Sequence, residues 1–105
     1  MKYLAVVTTV ASADEARTMA RTLVTRRLAA CVQVSRIESF YTWEGAVQNE
    51  AEYRVLCKTT DMRYEELEKA IREMHSYDLP AIHAFPFAHV SREYGEWIAN
   101  ETEAT

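Results

Sequence analysis

The stretch from His75 to Ile82, which we call the elbow (residues 75–82), brings an imidazole, a phenol and a carboxylate close together in the sequence. Imidazole nitrogen and phenol or carboxylate oxygen are metal-ligating groups. Each side chain also has an ordinary structural role. His75 can stabilise a helix C-terminus, Tyr77 can cover apolar surface while its hydroxyl hydrogen-bonds, and Asp78 is typical of turns. The elbow is therefore the first candidate for a polar site, and both interpretations stay open.

A predicted helix and a predicted strand position the elbow. Apolar residues recur at helical spacing just before it: Tyr64, Leu67, Ile71 and Met74. Pro80 excludes further helix and pushes Leu79 into an extended conformation. Residues 81–87 are β-prone and contain Pro86, which indicates an edge strand or a strand end. We therefore expect a rigid turn between a helix and a strand.

The composition predicts one cytoplasmic domain over residues 1–105. Hydrophobic residues make up 49% of the chain, enough for a single core. No apolar run approaches the ~20 residues of a membrane helix, and the N-terminus lacks the features of an export signal. The formal net charge of −4 argues against a nucleic-acid partner, because such domains carry a basic surface.

The cysteines and glycines match no common site motif. Cys31 and Cys57 lack the spacing of a metal site, and their apolar surroundings favour buried thiols in a reducing compartment. Gly45 and Gly95 belong to no phosphate-binding loop. We therefore expect both thiols to be structural.

The first part of the chain predicts a strand, a helix and a second strand. Residues 3–10 form a continuous β-prone run, typical of a central strand. Ser12 and Glu15 match the capping box, in which each side chain bonds the other's backbone amide. The apolar face of the helix follows: Ala16, Met19, Ala20, Leu23 and Val24. Residues 28–34 then predict the second strand.

A long hairpin follows. Alternation continues through residues 37–43, and Glu44-Gly45-Ala46 predicts a three-residue turn that pairs Trp43 with Val47 and Tyr41 with Asn49. The returning strand spans residues 46–60, well above the usual ~5–6. One small domain cannot cover such a hairpin, so its aromatic end must protrude. This is the main argument from the residues for an oligomer.

The order of elements predicts an α+β fold. Thr60 or Asp61 is a candidate cap for the helix before the elbow, and Ser91 for a short last helix bearing Tyr94, Trp97 and Ile98. The order β-α-β-β-α-β plus a short C-terminal helix is the split-βαβ, ferredoxin-like plan. In this plan an antiparallel sheet carries two helices on one face.

Five segments of the sequence carry a resemblance to a known family. They are RRLAACV at 26–32, SFYTWEG at 39–45, KT at 58–59, H-x-Y-x-x-P-x-I at 75–82 and Y-x-x-W-I at 94–98. With these segments in this order, the chain resembles the CutA divalent-cation-tolerance family over nearly its whole length. The resemblance implies a cytoplasmic homotrimer of ferredoxin-like subunits joined through the long hairpin. It also implies a link to tolerance of copper and other divalent metals.

Several positions depart from the family pattern. Ala81 and Gln33 stand where the family often has Glu and Asn. Some bacterial members bind copper through a first-strand thiol and two histidines before the elbow tyrosine. Here Thr8 takes the place of the thiol and Met74 that of the first histidine, so only His75 carries over as a possible ligand. The resemblance therefore implies at most weak binding of copper or another divalent cation.

Three functions remain open at this point. The first is a trimeric binding module without catalysis, with a cleft formed by Cys31, Lys58, His75 and Tyr77 and completed by Trp43 of a neighbouring subunit. The second is a small phosphate-ester or acyl-phosphate enzyme on the same fold, although the 10–12 connection lacks a glycine to build an anion cradle. The third is an RNA-binding module, which the acidic charge and the missing basic aromatic motif oppose.

Overall fold

The computed structural model describes residues 1–104, and its element order confirms the predicted ferredoxin-like α+β plan. The strands are β1 (Tyr3–Val10), β2 (Cys31–Trp43), β3 (Ala46–Thr60) and β4 (Ile82–Pro86). The helices are α1 (Ala13–Thr25), α2 (Tyr64–Met74) and α3 (Arg92–Glu101), with a 3₁₀ turn at Asp61–Arg63 before α2. The sheet is antiparallel with strand order β2-β3-β1-β4. Pro86 therefore ends an edge strand, as predicted.

The core lies between one face of the sheet and helices α1 and α2. Alternate residues of the two central strands point into it, and each is fully buried: Val6, Val10, Val55 and Cys57. The helices contribute Met19, Leu23, Leu67 and Ile71. Met74 packs partly buried against this cluster. The apolar spacing seen in the sequence therefore marks the faces of α1 and α2 that contact the sheet, except that Val24 of the predicted face is 43% exposed.

Helix α1 has the predicted Ser12 cap, but the role of Glu15 and the start of β2 differ from the prediction. Ser12 Oγ accepts the Glu15 amide at 3.1 Å, as the capping box requires. The reciprocal half of the box is wrong, because the Glu15 carboxylate accepts from the Ser76 amide and hydroxyl instead. Strand β2 begins at Cys31 and not at residue 28. The amides of Leu28 and Ala29 both bond the Leu23 carbonyl, which wraps this segment around the end of α1.

The hairpin has a tighter turn than predicted. Trp43 pairs with Ala46, so the loop is the two residues Glu44 and Gly45, with φ of 51° and 77°. Positive φ at both central residues is the type I′ geometry that matches the twist of paired strands. The predicted pairings of Trp43 with Val47 and of Tyr41 with Asn49 are each wrong by one residue, since Tyr41 pairs with Gln48. In the observed register Val47 points to the face opposite Trp43.

The predicted cap of α2 is also wrong, whereas that of α3 is confirmed. The 3₁₀ turn separates Thr60 from α2, and the Asp61 carboxylate accepts the Lys2 amide at 3.0 Å. This hydrogen bond holds the pKa of Asp61 below its usual value. At α3, Ser91 Oγ accepts the Tyr94 amide at 3.3 Å.

Candidate functional site

The elbow is fixed to the end of β1 by His75. Its Nε2 lies 2.9 Å from the carbonyl oxygen of Thr9 and 3.1 Å from Thr8 Oγ1. Because a carbonyl can only accept, Nε2 must carry the proton. Nδ1 then has the ring's lone pair, and it accepts the Tyr77 amide at 3.1 Å. Both ring nitrogens of His75 are therefore engaged within the chain.

Tyr77 connects the elbow to the hairpin. Its ring lies 4.9 Å from that of His75, and its hydroxyl donates to Glu52 Oε2 at 2.8 Å. Glu52 is buried, with 7% of its surface exposed. Burial and this hydrogen bond to a carboxylate raise the pKa of Tyr77 above its usual value. Tyr77 is therefore a neutral donor at physiological pH.

A second group of polar residues lies further along the sheet. Cys31 and Lys58 are paired across β2 and β3. Lys58 Nζ donates to the Tyr94 hydroxyl at 3.1 Å, and it lies 5.3 Å from the centre of the Tyr94 ring. Tyr94 in turn stacks on Trp97, with ring centres 5.7 Å apart. Tyr94 was not among the predicted site residues, although its spacing from Trp97 places both rings on one side of α3.

Within one chain, the predicted cleft residues form two separate groups. Lys58 pairs with Ala5, whereas the elbow contacts β1 at Thr8 and Thr9, about 10 Å further along the strand. Glu52, the partner of Tyr77, lies about 20 Å from Lys58 along β3. Trp43 is at the far end of β2, about 40 Å from Cys31. Trp43 can therefore join either group only from another subunit.

The two thiols have different surroundings. Cys57 is fully buried in the core, and burial raises the pKa of its thiol to about 12. Cys31 is partly buried at the start of β2. Among residues 1–104, no group of three or more His, Cys, Asp or Glu side chains is placed to hold a metal ion.

Apolar side chains are exposed on the hairpin. Phe40 is 67% exposed, Trp43 50% and Val47 76%. The structure is elongated, with extents of 45 × 26 × 21 Å, because this hairpin extends beyond the packed body. Exposed apolar side chains on both faces of a protruding ribbon are typical of an association surface.

A surface cavity of about 370 Å³ lies between α1 and α3. Its lining residues are Val24, Thr25, Arg27, Ala29, Ala30, Trp97 and Glu101. None of the predicted site residues lines it within the described chain. Helices able to cross a membrane are also absent from residues 1–104.

The fold and the five sequence segments at 26–32, 39–45, 58–59, 75–82 and 94–98 are those of a known family. Residues 4–101 match the family described as CutA1 divalent ion tolerance protein, and the chain belongs to it. The divalent-cation tolerance protein CutA of Thermus thermophilus is 41% identical over 98 residues, which cover 92% of this chain and 95% of that protein.

Two further relatives are named for different cell compartments, one for the periplasm and one for the chloroplast. A solved CutA structure from Archaeoglobus fulgidus, described as periplasmic, superposes with a TM-score of 0.94 at 33% identity and covers 96% of this chain and 99% of its own. The chloroplastic CutA protein of Arabidopsis thaliana is 37% identical over 100 residues, covering 94% of this chain and 55% of that protein. The names of the Thermus and Archaeoglobus proteins describe divalent-cation tolerance and no enzymatic reaction.

Proposed function

We propose that this chain is a homotrimeric cytoplasmic module of divalent-metal tolerance, with copper as the cation of interest and with no catalytic activity. Family membership supports the tolerance role. The observation that supports assembly is the hairpin, whose exposed apolar side chains are not covered by any of residues 1–104. Burying Phe40, Trp43 and Val47 between subunits would remove this surface from water.

Trimer formation would also complete the predicted cleft. Trp43 lies too far from Lys58 and His75 to reach them within one subunit. A neighbouring hairpin that runs along the sheet would bring an aromatic ring to the polar residues at its edge. The proposed cleft between subunits therefore combines Cys31 and Lys58 with Trp43 of the neighbour, and His75 and Tyr77 line its other end.

Sedimentation velocity tests the assembly. We expect a single species of three times the 12.1 kDa chain mass at micromolar concentration. Trp43→Ala should shift it towards smaller species. Met62→Ala removes a side chain outside the hairpin that is even more exposed (74%, against 50% for Trp43), and it should leave the distribution unchanged. A stable monomer would contradict the proposal.

Metal binding and location need separate measurements. Titration with Cu²⁺ and Zn²⁺, followed by native mass spectrometry, should show weak binding with affinity that falls at acid pH, because neutral imidazole is the ligating form. Fractionation of cells that express the full-length chain at its native level should recover it in the cytoplasm. A copper-sensitive phenotype on deletion would support the tolerance role.

The alternative of an acyl-phosphate or phosphate-ester enzyme finds little support in the structure. An anion site at the start of α1 would need free backbone amides. Ser12 already accepts the Glu15 amide there, and Asp14 and Glu15 add negative charge in the first turn. Assays with acyl phosphates should therefore give no turnover above the spontaneous rate.

A further inference from the structure

The link of this family with divalent cations raises the question of whether His75 can ligate one. A neutral imidazole offers a metal one lone pair. In His75 that lone pair is on Nδ1, where it accepts the Tyr77 amide at 3.1 Å. The other nitrogen carries its proton, since it donates to the Thr9 carbonyl at 2.9 Å. A metal at either nitrogen would have to replace one of these hydrogen bonds.

The residues around His75 do not supply the missing ligands. Thr8 is fully buried with its hydroxyl oxygen 3.1 Å from Nε2, and Met74 packs against the core. The Glu15 carboxylate is bound by both the amide and the hydroxyl of Ser76. The Glu52 carboxylate accepts from Tyr77. The donor set at the elbow therefore does not fit a copper or zinc centre.

We propose that His75 is a structural latch that positions the elbow, and that its imidazole holds no cation. Both clauses follow from the hydrogen bonds of the ring and do not rest on the proposed function. His83 lies on the edge strand β4 with its ring against Phe85, at a centre distance of 5.3 Å, and His89 lies in the exposed segment before α3. Both side chains are open to solvent, so they serve as reference imidazoles in a copper titration.

The latch stabilises the part of the hairpin nearest the packed body, through the contact of the elbow with β3. The last pair between β1 and β3 joins Val10 to Tyr53, so β3 has lost its β1 neighbour at Glu52. The Tyr77 hydroxyl donates to the Glu52 carboxylate at this point of the strand. Because His75 holds the Tyr77 amide, it orients the ring that contacts β3. The elbow thereby joins β1, α1 and β3 through Thr9, Glu15 and Glu52 respectively.

The latch is tested by the tautomer of His75 and by amide exchange. Nitrogen-15 spectra of the imidazoles in the metal-free protein should show His75 as the Nε2–H form at neutral pH. His75→Ala should speed hydrogen exchange of the Tyr77 amide by about tenfold or more. His75→Asn should restore slow exchange, because its Oδ1 can accept the amide two residues on, as in an Asx turn. A protonated Nδ1, or equal exchange in His75→Ala and wild type, would overturn the latch.

Whether His75 holds a cation is tested by titrating copper into the wild-type protein and the His75 variants. Substoichiometric Cu²⁺ should not broaden the His75 resonances before those of the exposed His83 and His89, and His75→Asn should keep the wild-type affinity. Broadening of His75 first, or a loss of affinity in His75→Asn, would overturn the proposal. If the wild-type protein binds no copper, the metal part of the proposed function fails, whereas both clauses of this proposal stand. The exchange measurement still decides the latch, and the wild-type tautomer decides it if His75→Ala does not fold.

Discussion

Replacing Gly95 by Ala should have opposite effects on stability in two backgrounds. Gly95 is buried in α3, and a Cβ placed there would lie 3.0 Å from both Cζ and Oη of Tyr3. Alanine favours a helix over glycine by about 1 kcal/mol, whereas overpacking a fitted contact costs about 1–3 kcal/mol. The Tyr3 ring is held by stacking on Phe87, with ring centres 6.5 Å apart. We therefore expect Gly95→Ala to lower the free energy of unfolding by up to about 2 kcal/mol.

In a Tyr3→Ala background the alanine Cβ no longer overlaps the Tyr3 ring. Only the higher helix propensity of alanine then affects the stability. Gly95→Ala should then raise the free energy of unfolding by about 1 kcal/mol, so the coupling between the two sites is about 1–3 kcal/mol. Urea unfolding of the four proteins at one fixed concentration measures it.

Gly45→Ala is the matched control. Gly45 has φ of 77° and open space where a Cβ would be, so alanine should destabilise by about 1 kcal/mol in both backgrounds through backbone strain alone. If Gly95→Ala stabilises the wild-type background as much as the Tyr3→Ala background, the close approach of Tyr3 does not constrain α3. The packing that places Tyr94 near Lys58 would then need another explanation.

Three further predictions concern the hairpin, the core thiol and the elbow. Trp43→Ala should weaken association by about 2–4 kcal/mol as an interface hot spot, measured by sedimentation over a range of concentrations; wild-type association would contradict it. Cys57, with its pKa raised from 9.0 to about 12, should react about 10³ times more slowly than a free thiol in native protein. Its burial stabilises the fold fully below pH 9.0, and this contribution should be lost as the pH rises towards 12, whereas unfolding curves unchanged over that range would refute the shift. Tyr77→Phe leaves the buried Glu52 carboxylate without its hydroxyl donor and should cost about 1.5–3 kcal/mol in urea unfolding, and wild-type stability of this variant would contradict the contact.

Local signals in the sequence were enough to predict most of the fold. The alternation from Ala46 to Thr60 predicted β3 with its observed bounds, and Ser12 and Ser91 cap their helices as expected. The errors arose where distant residues compete for a group. Glu15 bonds Ser76 across the fold instead of its own helix, and Asp61 bonds Lys2. No local rule anticipates these partners.

The prediction of the hairpin turn was wrong for a different reason. A type I′ turn needs two residues with positive φ, and glutamate rarely adopts that conformation. Glu44 does so at φ 51° because the long paired strands fix the register around it.

In the candidate site, only the contacts between residues close in the sequence could be predicted. His75 and Tyr77 are neighbours in the sequence, and the structure joins them through one hydrogen bond. The contacts of Tyr77 with Glu52 and of Lys58 with Tyr94 bridge distant segments, so they required the folded chain. The helical spacing of Tyr94 and Trp97 was the one signal that could have added Tyr94 to the cleft.

The central place of β1 has a consequence for synthesis of the chain. Both of its neighbours in the sheet come later in the sequence, since Leu4 pairs with Thr59 of β3 and with Pro86 of β4. At a ribosomal rate of about 5–20 residues per second, some 4–15 s pass between the appearance of β1 and that of β4. The hairpin, whose strands are adjacent, can form within microseconds of its own completion. The most apolar strand of the sheet is thus made first and paired last, and during that interval it is a natural substrate for chaperones.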